Sequence, residues 1–186
     1  MEDNEELIKV KLTQGQFAII DKEDYSKIAE YKWFAVKSRN SFYAASHGKK
    51  RETIKMHRVI LGLTERKQVC DHIDHNGLNN SKSNLRVCTD SENAKNTTSR
   101  KGASSKYLGV SYSPTRKRKL KSGGYSINEI NRKWLVQIQC DKKKSYVGRF
   151  ATEIEAAIAY NKVAIEKFGS FANINNVCLQ QKNEKN

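Results

Sequence analysis

Three observations predict an α+β fold in two domains. Short segments of alternating or continuous apolar residues, typical of β-strands, recur along the 186-residue chain. Residues 152–168 instead repeat apolar positions at roughly the 3.6-residue period of an amphipathic helix. Residues 97–105 are rich in Ser, Thr and Gly, a composition typical of a linker. We therefore expect one domain over residues 1–96, a second over residues 106–176, and a polar tail over residues 177–186.

The first domain opens with several short elements. Residues 7–20 hold two apolar runs around a Gln-Gly turn signal, which predicts a hairpin. Residues 21–31 resemble a short helix. Residues 32–45 alternate aromatic and polar side chains, as half-buried strands do, and residues 53–61 form another apolar segment.

A strand–loop–strand–helix unit over residues 69–96 is the predicted core of this domain. Its parts are an apolar strand over 69–73, a surface loop rich in Asn, Gly and Ser over 74–83, and a returning strand over 84–89. Asp90 or Ser91 is expected to cap the helix that follows. Such a unit brings His72 and Asn93 together although they are 21 positions apart in the chain.

The second domain begins with three strand-like segments, over residues 107–113, 133–139 and 144–150. A helix follows from Thr152, because Glu155 stands three positions later and completes a capping box. Gly169 suits the end of this helix. Apolar residues are expected to line one side of it: Ile154, Ala157, Ile158, Ala164, Ile165 and Phe168.

The charge of the chain favours a polyanionic partner. The formal net charge is +15 and the pI is near 9.7. Residues 1–100 carry 18 Lys and Arg against 14 Asp and Glu, a net +4, whereas residues 101–186 carry 17 against 6, a net +11. We therefore expect the second half of the chain to bind phosphates. The alternative is that its basic surface serves only to keep the protein soluble.

Several classes of protein are disfavoured. No apolar run approaches the roughly 20 residues that cross a bilayer, and the acidic first residues do not resemble a signal peptide. The four cysteines form no C-x-x-C pair, so a zinc ribbon is not expected and the thiols should be reduced. We expect a cytoplasmic protein without a membrane or small-molecule cofactor, and a monomer since no dimerisation signal is evident.

The residue types of the core unit suit phosphodiester hydrolysis. This reaction needs an activated water and stabilisation of the departing 3′-oxygen. A neutral imidazole such as that of His72, with an ordinary pKa of about 6.5, can take a proton from water. A hard cation such as Mg²⁺ prefers oxygen ligands and needs only one or two from the protein.

The stretch from residue 69 to residue 93, VCDHIDHNGLNNSKSNLRVCTDSEN, resembles the core of an HNH (His-Me finger) nuclease with its ββα-metal layout. The resemblance implies that His72 is the general base. It implies that Asp71 and Asn93 hold a divalent metal, Mg²⁺ or else Mn²⁺, and that Asn84 steadies the histidine loop. With the preceding segment over residues 56–60, the stretch looks like the phage and intron-encoded homing branch of the family.

Two further histidines lie near this core in the sequence. His75 stands where the homing branch often has Gly, which makes it a phosphate contact, an alternative ligand, or a solvent-exposed loop residue. His57 is either a phosphate contact or a structural residue.

Residues 106–176 resemble the ethylene-response-factor (Apetala-two) DNA-binding domain of plants, which also occurs attached to HNH nucleases. The matching pieces are YLGV at 107–110, KWLVQI at 133–138, VGRF at 147–150, TEIEAAIAY at 152–160, FG at 168–169 and ANIN at 172–175. The resemblance implies a three-stranded antiparallel sheet, backed by one helix, that lies in the major groove of double-stranded DNA.

This resemblance also implies which side chains meet DNA. The arginines with which the first strand of the family reads bases are replaced here by Leu108, Ser111 and Ser113, so the plant target sequence does not carry over. The positions on the later strands that contact bases in the family correspond here to Gln137, Gln139, Lys144 and Tyr146. The alternative is that these four side chains form a solvated polar face of the sheet. In the insertion over residues 114–132, Arg116 and Arg118 are expected to contact phosphate, unless the loop is merely solvated.

The leading hypothesis is a site-directed DNA endonuclease of the mobile-element homing type. One alternative is a sequence-specific DNA-binding regulator with an inactive HNH core. A third is a nuclease that acts on structured RNA. If the gene is carried by a phage, the cytoplasm is that of the host cell.

Overall fold

The computed structural model of the protein describes residues 6–38, 41–65, 67–114, 133–141 and 143–177. The chain divides into two compact units, Met1–Asn93 and Ala94–Asn186, here called the N-terminal and C-terminal units. In the described parts of the chain, the N-terminal unit consists of short helices and small antiparallel sheets, and the C-terminal unit consists of one small antiparallel sheet, one long helix and a 3₁₀ turn. No helix within the described residues is long and apolar enough to cross a membrane.

The N-terminal unit opens with the expected hairpin. Strand β1 (Leu7–Lys11) pairs antiparallel with strand β2 (Phe17–Asp21). Gln14 and Gly15 turn the chain with φ angles of 57° and 66°, a region that glycine enters without steric cost. A 3₁₀ turn over Lys22–Asp24 then leads into the one-turn helix α1 (Tyr25–Ile28), so the helix expected over residues 21–31 is broken and shorter.

A second small sheet consists of three strands in sequence order, β3 (Phe34–Ser38), β4 (Ser41–His47) and β5 (Thr53–Lys55). Helix α2 (Met56–Ile60) follows β5 directly and packs against β4. The apolar segment over residues 53–61 is therefore half strand and half helix.

The strand–loop–strand–helix unit completes the N-terminal unit. Strand β6 (Val69–His72) pairs antiparallel with strand β7 (Leu85–Cys88), and helix α3 (Asp90–Asn93) packs against β6. Strand β2 supports the intervening loop from outside, through a parallel bridge between Ile19 and Asn79. The unit packs on one apolar core: Leu12, Ala18, Ile20, Ile28, Ala35, Ala44, Met56, Ile60, Leu78 and Leu85.

The C-terminal unit holds a three-stranded antiparallel sheet in the order β10–β9–β8. Its strands are β8 (Val110–Tyr112), β9 (Trp134–Cys140) and β10 (Lys143–Phe150). The long helix α4 (Glu153–Phe168) packs on it. The expected capping box is present, since the Thr152 hydroxyl accepts from the Glu155 N–H and the Glu155 carboxylate accepts from the Thr152 N–H.

The buried face of α4 differs from the predicted one. Ala157, Ala164 and Phe168 are buried as expected, but the isoleucines at 154, 158 and 165 are exposed. Their places are taken by Ala156 and Tyr160. Small side chains let the helix lie close to the sheet, and the Tyr160 ring packs so tightly on Gly109 that a Cβ there would stand 2.1 Å from it. The side of α4 that packs on the sheet is therefore the side whose small residues allow close approach, and not the side that carries the isoleucines.

Candidate active site

Strand β6 ends in two buried polar side chains, Asp71 and His72, which are 5% and 6% exposed. The antiparallel register places Asp71 opposite Arg86 and His72 opposite Leu85 on β7. The two residues predicted for metal binding and proton transfer are therefore held in regular hairpin backbone.

Arg86 holds the Asp71 carboxylate. Its Nε and Nη2 donate to Asp71 Oδ2 at 2.8 and 2.5 Å. The pair is largely shielded, with side-chain exposures of 17% for Arg86 and 6% for Asp71. We did not predict this partner from the sequence. The signal was present, since opposite charges at facing positions of a hairpin stabilise each other, but it needs the strand register.

The His72 imidazole lies in an aromatic cluster. Its ring centroid is 5.0 Å from that of His57, at an interplanar angle of 84°, and 5.7 Å from that of Tyr43. Tyr43 also meets His57 edge-on at 6.1 Å. The Lys55 ammonium stands 5.1 Å from the centre of the Tyr43 ring, so a cation borders this cluster.

Burial keeps both imidazoles neutral. It is the main cause that lowers the pKa of His57 to about 3, and electrostatic interactions with His72, Lys55 and Arg58 contribute the rest of that lowering. Burial also lowers the pKa of His72, although a hydrogen bond with Asn80 and the nearby carboxylates oppose the effect. Near neutral pH, His72 is thus an unprotonated base. His57, buried and uncharged against it, suits packing better than phosphate binding.

Asn84 fixes the loop that follows His72. Its side-chain oxygen accepts from the Asp74 N–H at 3.0 Å, and its amide donates to Asp74 Oδ1 at 2.9 Å and to the Asn79 carbonyl at 2.8 Å. Burial raises the pKa of Asp74, but hydrogen bonds from Asn79, Asn76 and Asn84 outweigh it, and the net pKa is lowered. Asp74 is therefore an ionised acceptor for several hydrogen bonds of the loop, and Asn84 connects Asp74 to Asn79.

Asn80 is a second contact that the sequence did not reveal. It is fully buried, and its Oδ1 lies 3.3 Å from His72 Nε2. In the sequence it is one of several loop asparagines, and nothing in the spacing distinguishes it from Asn79.

Asn93 is the last residue of α3, the helix that packs against β6. The cap of this helix is Thr89, not Asp90 or Ser91 as expected. The Thr89 hydroxyl accepts from the Glu92 N–H at 3.2 Å, and the Glu92 carboxylate accepts from the Thr89 N–H at 2.8 Å. This reciprocal box starts the helix one residue earlier, because Glu92 stands three positions after Thr89.

The oxygen donors near β6 fit a hard divalent cation. Within the described ranges no group of three or more His, Cys, Asp or Glu side chains is placed to hold a metal. Mg²⁺ retains several waters and commonly takes only one or two protein oxygens. The carboxylate of Asp71, which Arg86 holds in place, and the amide of Asn93 would make such a minimal donor set.

His75 lies exposed in the loop with a left-handed φ of 63°, and its N–H donates to the His72 carbonyl at 3.0 Å. Glycine enters this backbone region without steric cost. Histidine enters the region more readily than most other side chains.

The four sheet residues predicted to meet DNA form two facing pairs. The register places Lys144 opposite Gln139 and Tyr146 opposite Gln137, and all four are exposed. Val136 and Ile138 alternate with the glutamines and are buried in the core beneath α4. The four side chains therefore share the sheet face that α4 does not cover. The other two predicted contacts, Arg116 and Arg118, lie outside the described residues.

Comparison with known proteins gives two matches. Residues 56–95 match a family described as HNH endonuclease. Over 171 residues the chain is 32% identical to an uncharacterized HNH endonuclease of Acanthamoeba polyphaga mimivirus, an alignment that covers 88% of this chain and 77% of the viral protein. No solved structure matches the chain at a significant level.

Proposed function

The chain belongs to the HNH endonuclease family and is a nuclease, and from this premise we propose that it is a metal-assisted, site-directed DNA endonuclease of the homing type. In this proposal the N-terminal unit cuts and the C-terminal unit holds the DNA. Separating the two tasks is useful, because a single catalytic loop reads little sequence and a second surface adds specificity.

The observation that carries the proposal is the buried, neutral imidazole of His72 at the end of β6. A general base must be unprotonated at the working pH, and burial lowers the pKa of His72 below its usual 6.5. Asn84 and Asp74 fix the loop that follows, so the ring is positioned before substrate arrives. His72 is the proposed acceptor of the proton from the attacking water.

Asp71 and Asn93 are the proposed metal ligands, with Mg²⁺ or Mn²⁺ as the ion. When bound, the cation would neutralise negative charge on the phosphate and the departing 3′-oxygen. Arg86 contributes by holding the Asp71 carboxylate in one orientation.

The exposed sheet face of the C-terminal unit is the proposed DNA-binding surface. Its support is the pairing of Gln139 with Lys144 and of Gln137 with Tyr146 on a face free of α4. A two-stranded ribbon fits the major groove, glutamine can pair with adenine, and lysine can reach guanine or phosphate. The charge of +11 over residues 101–186 favours the same partner. An ethylene-response-factor-like domain is the proposed identity of this unit.

Plasmid cleavage tests the proposal. A supercoiled plasmid pool with randomised inserts is incubated with the protein and Mg²⁺, Mn²⁺ or EDTA, and the products are separated and sequenced. We expect metal-dependent nicked or linear product at a restricted set of sequences. His72→Ala should lower the rate by about 10²–10⁴-fold, the usual contribution of a general base, while DNA affinity in a gel shift stays nearly unchanged.

The matched control is His47→Ala, which removes an exposed histidine of the same unit. It should cleave like the unaltered protein. DNA binding by the unaltered protein without cleavage under any metal would refute the nuclease proposal and favour a DNA-binding regulator. Equal competition by structured RNA would refute a preference for duplex DNA, and cleavage scattered over all sequences would refute the homing type.

A further inference from the structure

Strands β4 and β5 are joined by a tight turn that carries three consecutive cations. The tip of this turn consists of Lys49, Lys50 and Arg51, all of them exposed. The turn is closed by its own backbone, since the Gly48 N–H donates to the Glu52 carbonyl at 2.9 Å and the Arg51 N–H donates to the Gly48 carbonyl at 3.0 Å. The three cationic side chains therefore project from a hydrogen-bonded backbone.

These cations form no ion pairs within the protein. The carboxylate of the turn, that of Glu52, accepts from the Lys50 N–H at 2.9 Å and so binds backbone. In the part of the chain that the structure describes, no carboxylate forms an ion pair with the three cations of the tip or with Lys55 at the end of β5. The four positive charges are thus available to an anion from outside.

The β4–β5 hairpin also supplies the net positive charge of the N-terminal unit. Residues 1–93 carry 16 Lys and Arg against 14 Asp and Glu, a net +2. Residues 49–55 alone carry four against one, a net +3. The remainder of the unit is therefore net −1, and electrostatic attraction would bring a polyanion to this hairpin rather than elsewhere on the unit.

The backbone at Arg51 supports a role for its side chain. Its φ is 62°, in the left-handed region that is sterically unfavourable for a residue with a Cβ. Glycine enters this region without that cost, so the geometry of the turn alone would favour glycine here. Local strain of this kind is found preferentially at functional sites.

The same hairpin leads to the proposed catalytic base. Lys55 lies opposite Ala45 in the register, and its ammonium stands 5.1 Å from the centre of the Tyr43 ring. The centre of that ring is 5.7 Å from that of His72. Strand residues advance about 3.3 Å each, close to the roughly 3.4 Å between successive nucleotides of one DNA strand along the helix axis. Phosphates that flank a bond cut at His72 would therefore come within reach of Lys55 and of the turn beyond it.

We propose that the β4–β5 hairpin is a phosphate-binding edge of the N-terminal unit, which holds the backbone of duplex DNA beside the bond that is cut. Its contacts are Lys49, Lys50, Arg51 and Lys55. The inference rests on the proposed nuclease function and adds to it a hold on the substrate that reads no sequence. His47, which lies against Phe34 with ring centroids 4.8 Å apart, is not one of the contacts.

The salt dependence of DNA binding tests the hairpin without any cleavage. Fluorescence anisotropy with the full chain, mixed-sequence duplexes and EDTA gives Kd over a series of salt concentrations. Each phosphate contact contributes about 0.9 to the slope of log Kd against log salt. A hairpin variant with Lys49→Gln, Lys50→Gln and Lys55→Gln should therefore lower the slope by about 2–3. The decrease should be the same for unrelated duplexes, because phosphate contacts carry no sequence information.

The matched control carries Lys9→Gln, Lys11→Gln and Lys32→Gln, which remove the same charge from exposed positions outside the hairpin. Its slope should equal that of the unaltered protein. Equal decreases in the two triple variants would mean that only net charge matters. An unchanged slope in the hairpin variant would mean that DNA does not meet the hairpin, and either result overturns the proposal.

Arg51→Gly separates binding from structure, because its two expected effects have opposite signs. Glycine relieves the left-handed backbone, so the stability in urea unfolding should stay equal or rise slightly. Loss of the guanidinium should lower the salt slope by about 0.9. Arg51→Lys retains the charge and should restore the slope. Weaker binding that appears only together with lower stability would make Arg51 structural and remove it from the proposed contacts.

Cleavage distinguishes this inference from the proposed function. A salt slope that depends on the hairpin, in a protein that cuts no DNA under any metal, would overturn the nuclease proposal alone. Metal-dependent cleavage by the unaltered protein, together with an unchanged slope in the hairpin variant, would overturn the phosphate-binding hairpin alone.

Discussion

The active-site loop of the N-terminal unit and the open sheet face of the C-terminal unit both present polar side chains, but in opposite environments. In and beside this loop, Asp71, Asn80 and Asn84 are nearly inaccessible, and each has hydrogen-bonding partners within the unit. On the sheet face, Gln137 and Tyr146 stand in solvent. In the loop, hydrogen bonds within the protein fix the geometry of the polar groups. On the sheet face, the polar groups are exposed and can form hydrogen bonds with another molecule.

Because the two environments differ, measurements on substituted proteins can separate residues that fix the structure of the site from residues that bind DNA. A buried polar group left without its partner costs stability, because its desolvation is no longer offset. An exposed polar group costs almost nothing to remove unless a ligand uses it. Substitutions in the loop should therefore affect unfolding, and those on the sheet face should affect DNA affinity alone.

The largest effect is expected from Arg86→Met, which leaves the buried Asp71 carboxylate without its guanidinium. Breaking a buried ion pair from one side costs about 3–5 kcal/mol. The control is Lys22→Met, which breaks an exposed pair with Glu6 and should cost under about 1 kcal/mol. Urea unfolding measures both. Equal losses in the two variants would contradict the contrast between buried and exposed polar groups.

The sheet face is tested by Gln137→Ala and Lys144→Ala. If these side chains read bases, each substitution should weaken DNA binding by about 1–3 kcal/mol, while the free energy of unfolding changes by no more than about 0.5 kcal/mol. Fluorescence anisotropy with a bound target provides the affinity. Lys162→Ala removes the same charge from an exposed site on α4 and should bind normally. An equal loss in that control would mean that only net charge matters.

Acid should destabilise the N-terminal unit through His57. Its pKa of about 3 in the folded protein lies below the ordinary 6.5, so the unfolded chain binds the proton first as pH falls. The contribution of neutral His57 to the free energy of unfolding is therefore fully present above pH 6.5. It declines by about 1.4 kcal/mol for each pH unit between 6.5 and 3. Unfolding of the protein and of His57→Gln at pH 7.5 and 5.5 measures this. The variant should lose less stability between the two pH values, and identical losses would exclude His57 as the cause.

The smallest effect is expected from His75→Gly. A left-handed φ of 63° costs a residue with a Cβ roughly 1–2 kcal/mol, and the greater freedom of glycine in the unfolded chain offsets about 0.5–1 kcal/mol of that gain. Stability should rise slightly or stay constant, whereas His75→Ala, which retains the Cβ, should show no gain. Cleavage that falls with both variants would show that the imidazole takes part in the site.

Local patterns predicted much of the secondary structure. The hairpin at residues 7–20, the strands around His72 and the capping box at Thr152 each depend on neighbours in the chain, and they are present. The C-terminal strands lie close to the expected segments, with β8 shorter. The prediction of which face of α4 is buried was partly wrong, because that face is set by the packing of Tyr160 on Gly109, two residues that are 51 positions apart in the chain.

The sequence by itself determined the identity and spacing of the groups for the proposed chemistry: Asp71, His72, Asn84 and Asn93. Only the tertiary structure decided how those groups are held. The register of β6 and β7 places Arg86 opposite Asp71. Burial lowers the pKa of both His57 and His72. A backbone hydrogen bond to strand β2 holds Asn80 beside the His72 ring. Residue type follows from the chain alone, but ionisation and orientation depend on solvent exclusion and on distant partners, which exist only once the chain has folded.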